Sequence, residues 1–110
     1  VGWMTTGDSQ QAYNVAGAIG TFCLLPGVWN RIDIPDLISM GAPKACLVVS
    51  ATKDPLFPPL GQKEAARQIT EAFSWAGKPQ KFRSYTPEKE HCYDAEIQEE
   101  ALSWFNKHLK

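Results

Sequence analysis

No stretch of this 110-residue sequence approaches the ~20 consecutive apolar residues that a membrane-spanning helix needs; the apolar run Cys46 to Val49 falls far short. Excess positive charge is missing too. Lys and Arg total 11 against 12 Asp and Glu, for a net charge of -1. With no cluster of Lys or Arg, a basic nucleic-acid surface is excluded. Cysteine is scarce: Cys23, Cys46 and Cys92 stand at unrelated spacings without a CxxC pair. That pattern supplies neither a disulfide framework nor a zinc site, and it predicts three reduced, mostly buried thiols. No glycine-rich phosphate loop follows any expected strand, which removes support for a nucleotide-binding βαβ domain. Repeats and low-complexity segments are absent. What is present is a 44% hydrophobic and 21% charged chain, enough to bury the core of one small domain.

The punctuation of the chain divides it into elements. Val1 to Thr5 reads as the end of a strand, and Asp8 or Ser9 suits the cap of a helix from about Gln10, which Gly17 and Gly20 interrupt. Pro26-Gly27 is a turn. Asp33-Ile34-Pro35 predicts a short helix, stopped by Gly41 and Pro43, with Leu37, Ile38 and Met40 facing inward. Ala45 to Ser50 is apolar and β-branched at its centre, as in a strand buried on both faces of a parallel sheet. Pro55, Pro58 and Pro59 delay the next helix to about Leu60. From there Ala65, Ala66, Ile69, Ala72, Phe73 and Ala76 form an apolar stripe that ends at Gly77. Lys81 to Thr86 alternates as a strand. A final helix follows, with Ile97, Ala101, Leu102, Phe105 and Leu109 as its inward stripe. Strands alternating with helices imply an α/β fold built from parallel βαβ units with right-handed crossovers.

In open parallel sheets, ligands and reactive groups gather beyond the carboxyl ends of the strands. Asp54 follows the Ala45 to Ser50 strand, and His91 follows the next strand just before the last helix. Neighbouring parallel strands bring both loops to one rim. Imidazoles work as general bases near neutral pH, and a carboxylate on the second ring nitrogen fixes the tautomer and supports the imidazolium. Taken singly, an Asp before Pro is often a turn former and a His ahead of a helix is often solvated. The pair, in the order Asp then His, carries the argument.

These residues sit within a wider pattern. Pro43-Lys44-Ala45-Cys46-Leu47-Val48-Val49-Ser50, followed by Lys53-Asp54-Pro55-Leu56-Phe57-Pro58-Pro59, resembles the acid-bearing strand and turn of α/β-hydrolases, in the dienelactone hydrolase and acetyl-xylan-esterase-like branch. His91 to Trp104, with Glu99, Glu100 and Ala101 in the terminal helix, resembles the end of the same family. So do Gly2-Trp3-Met4-Thr5-Thr6 and Ile34-Pro35-Asp36-Leu37. The resemblance covers nearly the whole chain. It implies a partial α/β-hydrolase fold of about three parallel strands with flanking helices, residues 1–110 being the C-terminal segment of such a domain. It also implies a small carboxylic ester as substrate, Asp54 as triad acid, His91 as triad base, and no metal or organic cofactor. The family places its nucleophile in G-x-S-x-G. None of Ser9, Ser39, Ser50, Ser74, Ser84 and Ser103 lies in that motif: Gly7-Asp8-Ser9 lacks the second glycine, and the residue three before His91 is Glu88, not Asp. The expectation is therefore a nucleophile upstream of Val1 and an isolated chain without esterase activity.

Other residues are assigned plainer roles. Cys92 beside His91 is expected to pack, since sequence neighbours point apart. Asp94 and Glu96 suit the N-terminus of the last helix, and His108 is expected to be solvated at its C-terminus. Trp3, Trp75 and Trp104 read as core or sheet-face residues, and Trp29 as a border of the substrate pocket. The alternative function is a non-catalytic α/β module that binds a partner or itself through an exposed sheet edge or face, giving a homo-oligomer.

Overall fold

The computed structural model describes residues 31–55, 57 and 59–109. The expected strand at Val1 to Thr5, the helix from Gln10, the turn at Pro26-Gly27, and Ser9, Cys23, Trp3 and Trp29 all lie outside these residues. Within them the order is α1 (Ile34–Ser39), β1 (Cys46–Val49), α2 (Pro59–Trp75), a 3-10 turn (Pro79–Lys81), β2 (Phe82–Tyr85) and α3 (Ala95–His108). The two strands pair in parallel, Cys46 opposite Phe82 through Val49 opposite Tyr85. The architecture is thus α/β, with a two-stranded parallel sheet among the described residues.

Local chemistry accounts for the boundaries. Asp33 caps α1, and the Asp36 carboxylate accepts from the Asp33 backbone N–H at 2.7 Å, closing a capping box that satisfies donors the first turn cannot. In α2, Ala65, Ile69 and Phe73 recur every four residues and are buried. Gly77 ends that helix at φ 69°, a left-handed conformation that side chains resist, and the Lys78 N–H reaches back to the Phe73 carbonyl at 3.0 Å. The Phe73 ring meets Phe82 of β2 with centroids 5.5 Å apart, joining helix to sheet. Ile69, Phe73, Ile97 and Pro35 are the largest fully buried side chains.

Several inward expectations fail among the described residues. β1 is half-buried along its length rather than buried on both faces, because each strand has a single neighbour among the described residues. Leu37 and Met40 are exposed on α1. On α3 the inward line runs through Ile97, Ala101, Trp104 and His108, at spacings of four, three and four. Leu102, Phe105 and Leu109 occupy the adjacent face and are 61%, 53% and 79% exposed. Trp75, at the end of α2, is exposed, whereas Trp104 is buried. His108 is not solvated: its ring lies 4.1 Å from that of Trp104, and its Nε2 is buried. Burial first, then Lys81 and Lys107, pushes the His108 imidazole below its ordinary range.

Candidate active site

The site begins where β1 ends. Ser50 and Ala51 stay buried past the last ladder residue, which carries the chain under the sheet rim before it turns. The strand pairing continues into the loops as backbone hydrogen bonds. The Ser50 N–H donates to the Tyr85 carbonyl at 2.9 Å, Thr52 to Pro87 at 2.9 Å, and Lys53 to Lys89 at 3.0 Å. A tight turn at Glu88, closed by the Lys89 N–H on the Pro87 carbonyl at 2.9 Å, absorbs one extra residue. Asp54 and His91 are therefore 37 positions apart, one more than the offset between paired strand residues. The loops are zipped together for the same reason the strands are, since their backbone groups need partners.

His91 Nδ1 lies 2.7 Å from Asp54 Oδ2. A carboxylate can only accept, so Nδ1 carries the proton in this contact and the neutral ring presents Nε2 as an acceptor. Nε2 has no hydrogen-bond partner among the described residues. The burial is asymmetric: the Asp54 side chain is 8% exposed and that of His91 63%. The carboxylate is sheltered from competing water while the imidazole remains open to an approaching group, an arrangement suited to moving a proton at Nε2.

Both loops are held from behind. Gln62 of α2, itself buried, donates from Nε2 to the Ala51 carbonyl at 2.8 Å and the Phe57 carbonyl at 2.7 Å, pinning the turn that carries Asp54. Lys53 and Glu88 form an ion pair at 3.0 Å across the two loops. On the His91 side, Lys89 Nζ reaches Asp94 Oδ2 and Glu96 Oε2, each at 2.6 Å, and the Tyr85 hydroxyl donates to Glu96 Oε1 at 2.8 Å. Asp94 also caps α3, its Oδ1 accepting from the Ile97 N–H at 3.1 Å. The structure thus puts Asp94 and Glu96 at the helix start, as their charge suggests.

Hydrogen bonding to Lys89 holds the Asp94 and Glu96 carboxyls below their ordinary values; the Ile97 N–H adds to this for Asp94 and the Tyr85 hydroxyl for Glu96. Their folded forms bind fewer protons than the unfolded chain near pH 4. The stabilisation is therefore complete above the unfolded carboxyl range of about 4 and is lost as pH falls through the lower folded values. Lys89→Met is expected to flatten this acid-side decline in melting temperature. An unchanged pH profile in thermal denaturation would contradict the clamp.

Val49, Ser50, Ala51, Asp54, Phe57, Gln62, His91, Cys92 and Tyr93 surround a cavity of about 290 Å³. Cys92 corrects the sequence expectation: it is exposed at this cavity instead of packed, and Cys46 is only half-buried, its thiol pushed up by that burial. Cys92 sits in the exposed run from Glu90 to Glu96, held by polar contacts, which gives it no apolar layer to enter. Gln62 and Lys89 carry no signal in the sequence, where each is one polar residue among many. No group of three or more His, Cys, Asp or Glu among the described residues is placed to hold a metal ion, and none of the described helices is long and apolar enough to cross a membrane. Comparison of the chain with family models, curated proteins and solved structures finds no match.

Proposed function

We propose that the chain supplies the acid and base of a Ser-Asp-His hydrolase acting on small carboxylic esters, as the C-terminal part of an α/β-hydrolase domain similar to the dienelactone hydrolase and acetyl-xylan-esterase-like branch. The observation that carries this reading is the Nδ1 to Oδ2 contact of 2.7 Å, which leaves Nε2 of His91 unpartnered among the described residues at the edge of a cavity. In this reading Nε2 accepts the proton of a serine as that oxygen attacks the ester carbonyl, then returns it to the leaving alcohol. Asp54 keeps the ring in the required tautomer and stabilises the imidazolium. The serine belongs to a segment outside this chain, since none of the chain's serines lies in G-x-S-x-G.

The test has two parts. A coding sequence that carries G-x-S-x-G upstream, within about one domain length, supports the proposal; a start codon at Val1 counts against it. The isolated chain is expected to leave a chromogenic short-chain ester untouched. Turnover by the chain that disappears in His91→Ala would place the nucleophile within it and overturn the division of labour proposed here.

One observation favours a second reading, a module that self-associates. Leu102, Phe105 and Leu109 expose a contiguous apolar line along α3. On that reading light scattering gives a dimer mass, and Leu102→Lys with Phe105→Glu returns a monomer; a wild-type monomer at high concentration rejects it.

A further inference from the structure

The cavity beside His91 holds a polar group that its architectural role does not use up. Gln62 is 5% exposed and belongs to the cavity wall. Its two hydrogen-bond partners, the carbonyls of Ala51 and Phe57, can only accept. The atom between them must therefore be the amide nitrogen, which settles which end of the side chain is oxygen. Both amide protons are then committed, and Oε1 has no partner among the described residues. A carbonyl oxygen held this way cannot turn to find another donor, because rotating the amide would break two bonds to buried backbone groups.

The wall carries Val49, Ala51 and Phe57 as apolar groups, alongside Ser50, Asp54, His91, Cys92 and Tyr93. A fixed acceptor beside apolar groups is a usual way for a small-molecule site to orient its ligand, and Gln62 Oε1 adds one to the Asp54–His91 pair already at this wall. We propose that Gln62 Oε1 is a specificity determinant, and that the cavity takes a ligand whose buried end is apolar but bears one hydroxyl or N–H donor. This rests on the reading of the cavity as the substrate pocket of the Asp54–His91 pair, and it narrows the ester class to substrates that carry such a donor. Fully alkylated analogues of the same shape would leave the carbonyl dry and unpaired, which is the costlier mismatch.

Binding can be read without turnover, so the test does not depend on ester hydrolysis. The probes are p-cresol and its methyl ether, which share an apolar ring and differ in a single donor. Titrated into the full 110-residue chain, p-cresol is expected to shift the amide resonances of Ala51, Gln62, His91 and Tyr93. It should bind roughly tenfold tighter than the ether, the worth of about one net hydrogen bond. The carbon-13 resonance of the Gln62 side-chain carbonyl should move with p-cresol and stay in place with the ether. Gln62→Met should erase the preference. Should that variant fail to fold, the carbonyl resonance of the wild-type chain decides the matter alone. Equal affinity for the two probes, no binding of p-cresol, or a Gln62 carbonyl signal indifferent to saturating p-cresol would each overturn the inference. A clear p-cresol preference in a protein whose complete form hydrolyses no ester would uphold Gln62 as a recognition group and reject the hydrolase reading separately.

Discussion

His91→Ala, introduced into the form of the protein that carries the proposed serine, is expected to lower kcat on a short-chain ester by roughly 10⁴- to 10⁶-fold. The imidazole is the only group at this rim whose ring nitrogen stands ready to accept a proton while its other nitrogen is engaged by a carboxylate, among the described residues. Without it a serine must lose its proton to water, and the leaving alcohol has no acid to protonate it. Asp54→Asn should cost about 10⁴-fold, because an amide in place of the carboxylate can donate to Nδ1 and so turn the proton to Nε2, the wrong tautomer for a base. KM should change little in either variant, since neither group is proposed to bind the ester before reaction. A His91→Ala enzyme within tenfold of the parent kcat would remove the hydrolase proposal, whatever Asp54→Asn does. The Asp54 substitution adds a separate check: its loss should be far larger than the Lys89→Met variant produces, because Lys89 only holds the loop.

Phe73→Ala carries the largest expected effect on stability, about 3–5 kcal/mol. The ring is fully buried, fills the space between α2 and the sheet, and meets Phe82 directly. Its removal deletes apolar burial and leaves a cavity that a two-stranded sheet and one helix cannot close without shifting β2. Small domains are stable by only about 5–15 kcal/mol, so the variant should lose a large fraction of its folded population. The consequence reaches the site, because β2 leads into the loop that carries His91. Urea denaturation should show a lowered midpoint with an unchanged slope. A midpoint within the error of the parent would mean that the α2–sheet contact is not the centre of the fold. Leu102→Ala, by contrast, removes an exposed side chain and should leave the midpoint almost unmoved.

The period of α2 and the placement of Asp54 and His91 were legible in the chain for definite reasons. Ala65, Ile69 and Phe73 recur at helical spacing, Gly77 stands where a left-handed residue is needed, and the two ionisable residues each follow an apolar run that reads as a strand. Periodicity and turn chemistry are local properties, and local properties survive in a string of letters. Parallel pairing of adjacent strands then carries both residues to one rim, a step that follows from topology alone. The short capped helix at Ile34–Ser39 was legible on the same grounds, from Asp33 and Pro35.

The choice of face was not legible. α3 has apolar residues on two adjoining stripes, and helical spacing in the sequence groups Ile97, Ala101, Leu102, Phe105 and Leu109 into one inward stripe. Ile97 and Trp104 are buried as expected, but the buried line continues from them to His108, leaving Leu102, Phe105 and Leu109 on the adjoining exposed face. Exposure of Cys92 and the commitment of both Gln62 amide protons were likewise invisible, because each depends on the path the loops take in space. Residue type and spacing were enough for the elements among the described residues and for bringing Asp54 and His91 to one rim. Which side of each element faces inward, and which polar atom is left over at the cavity wall, belongs to three-dimensional packing, because a hydrogen bond or a buried face is a relation between segments and no single segment contains it.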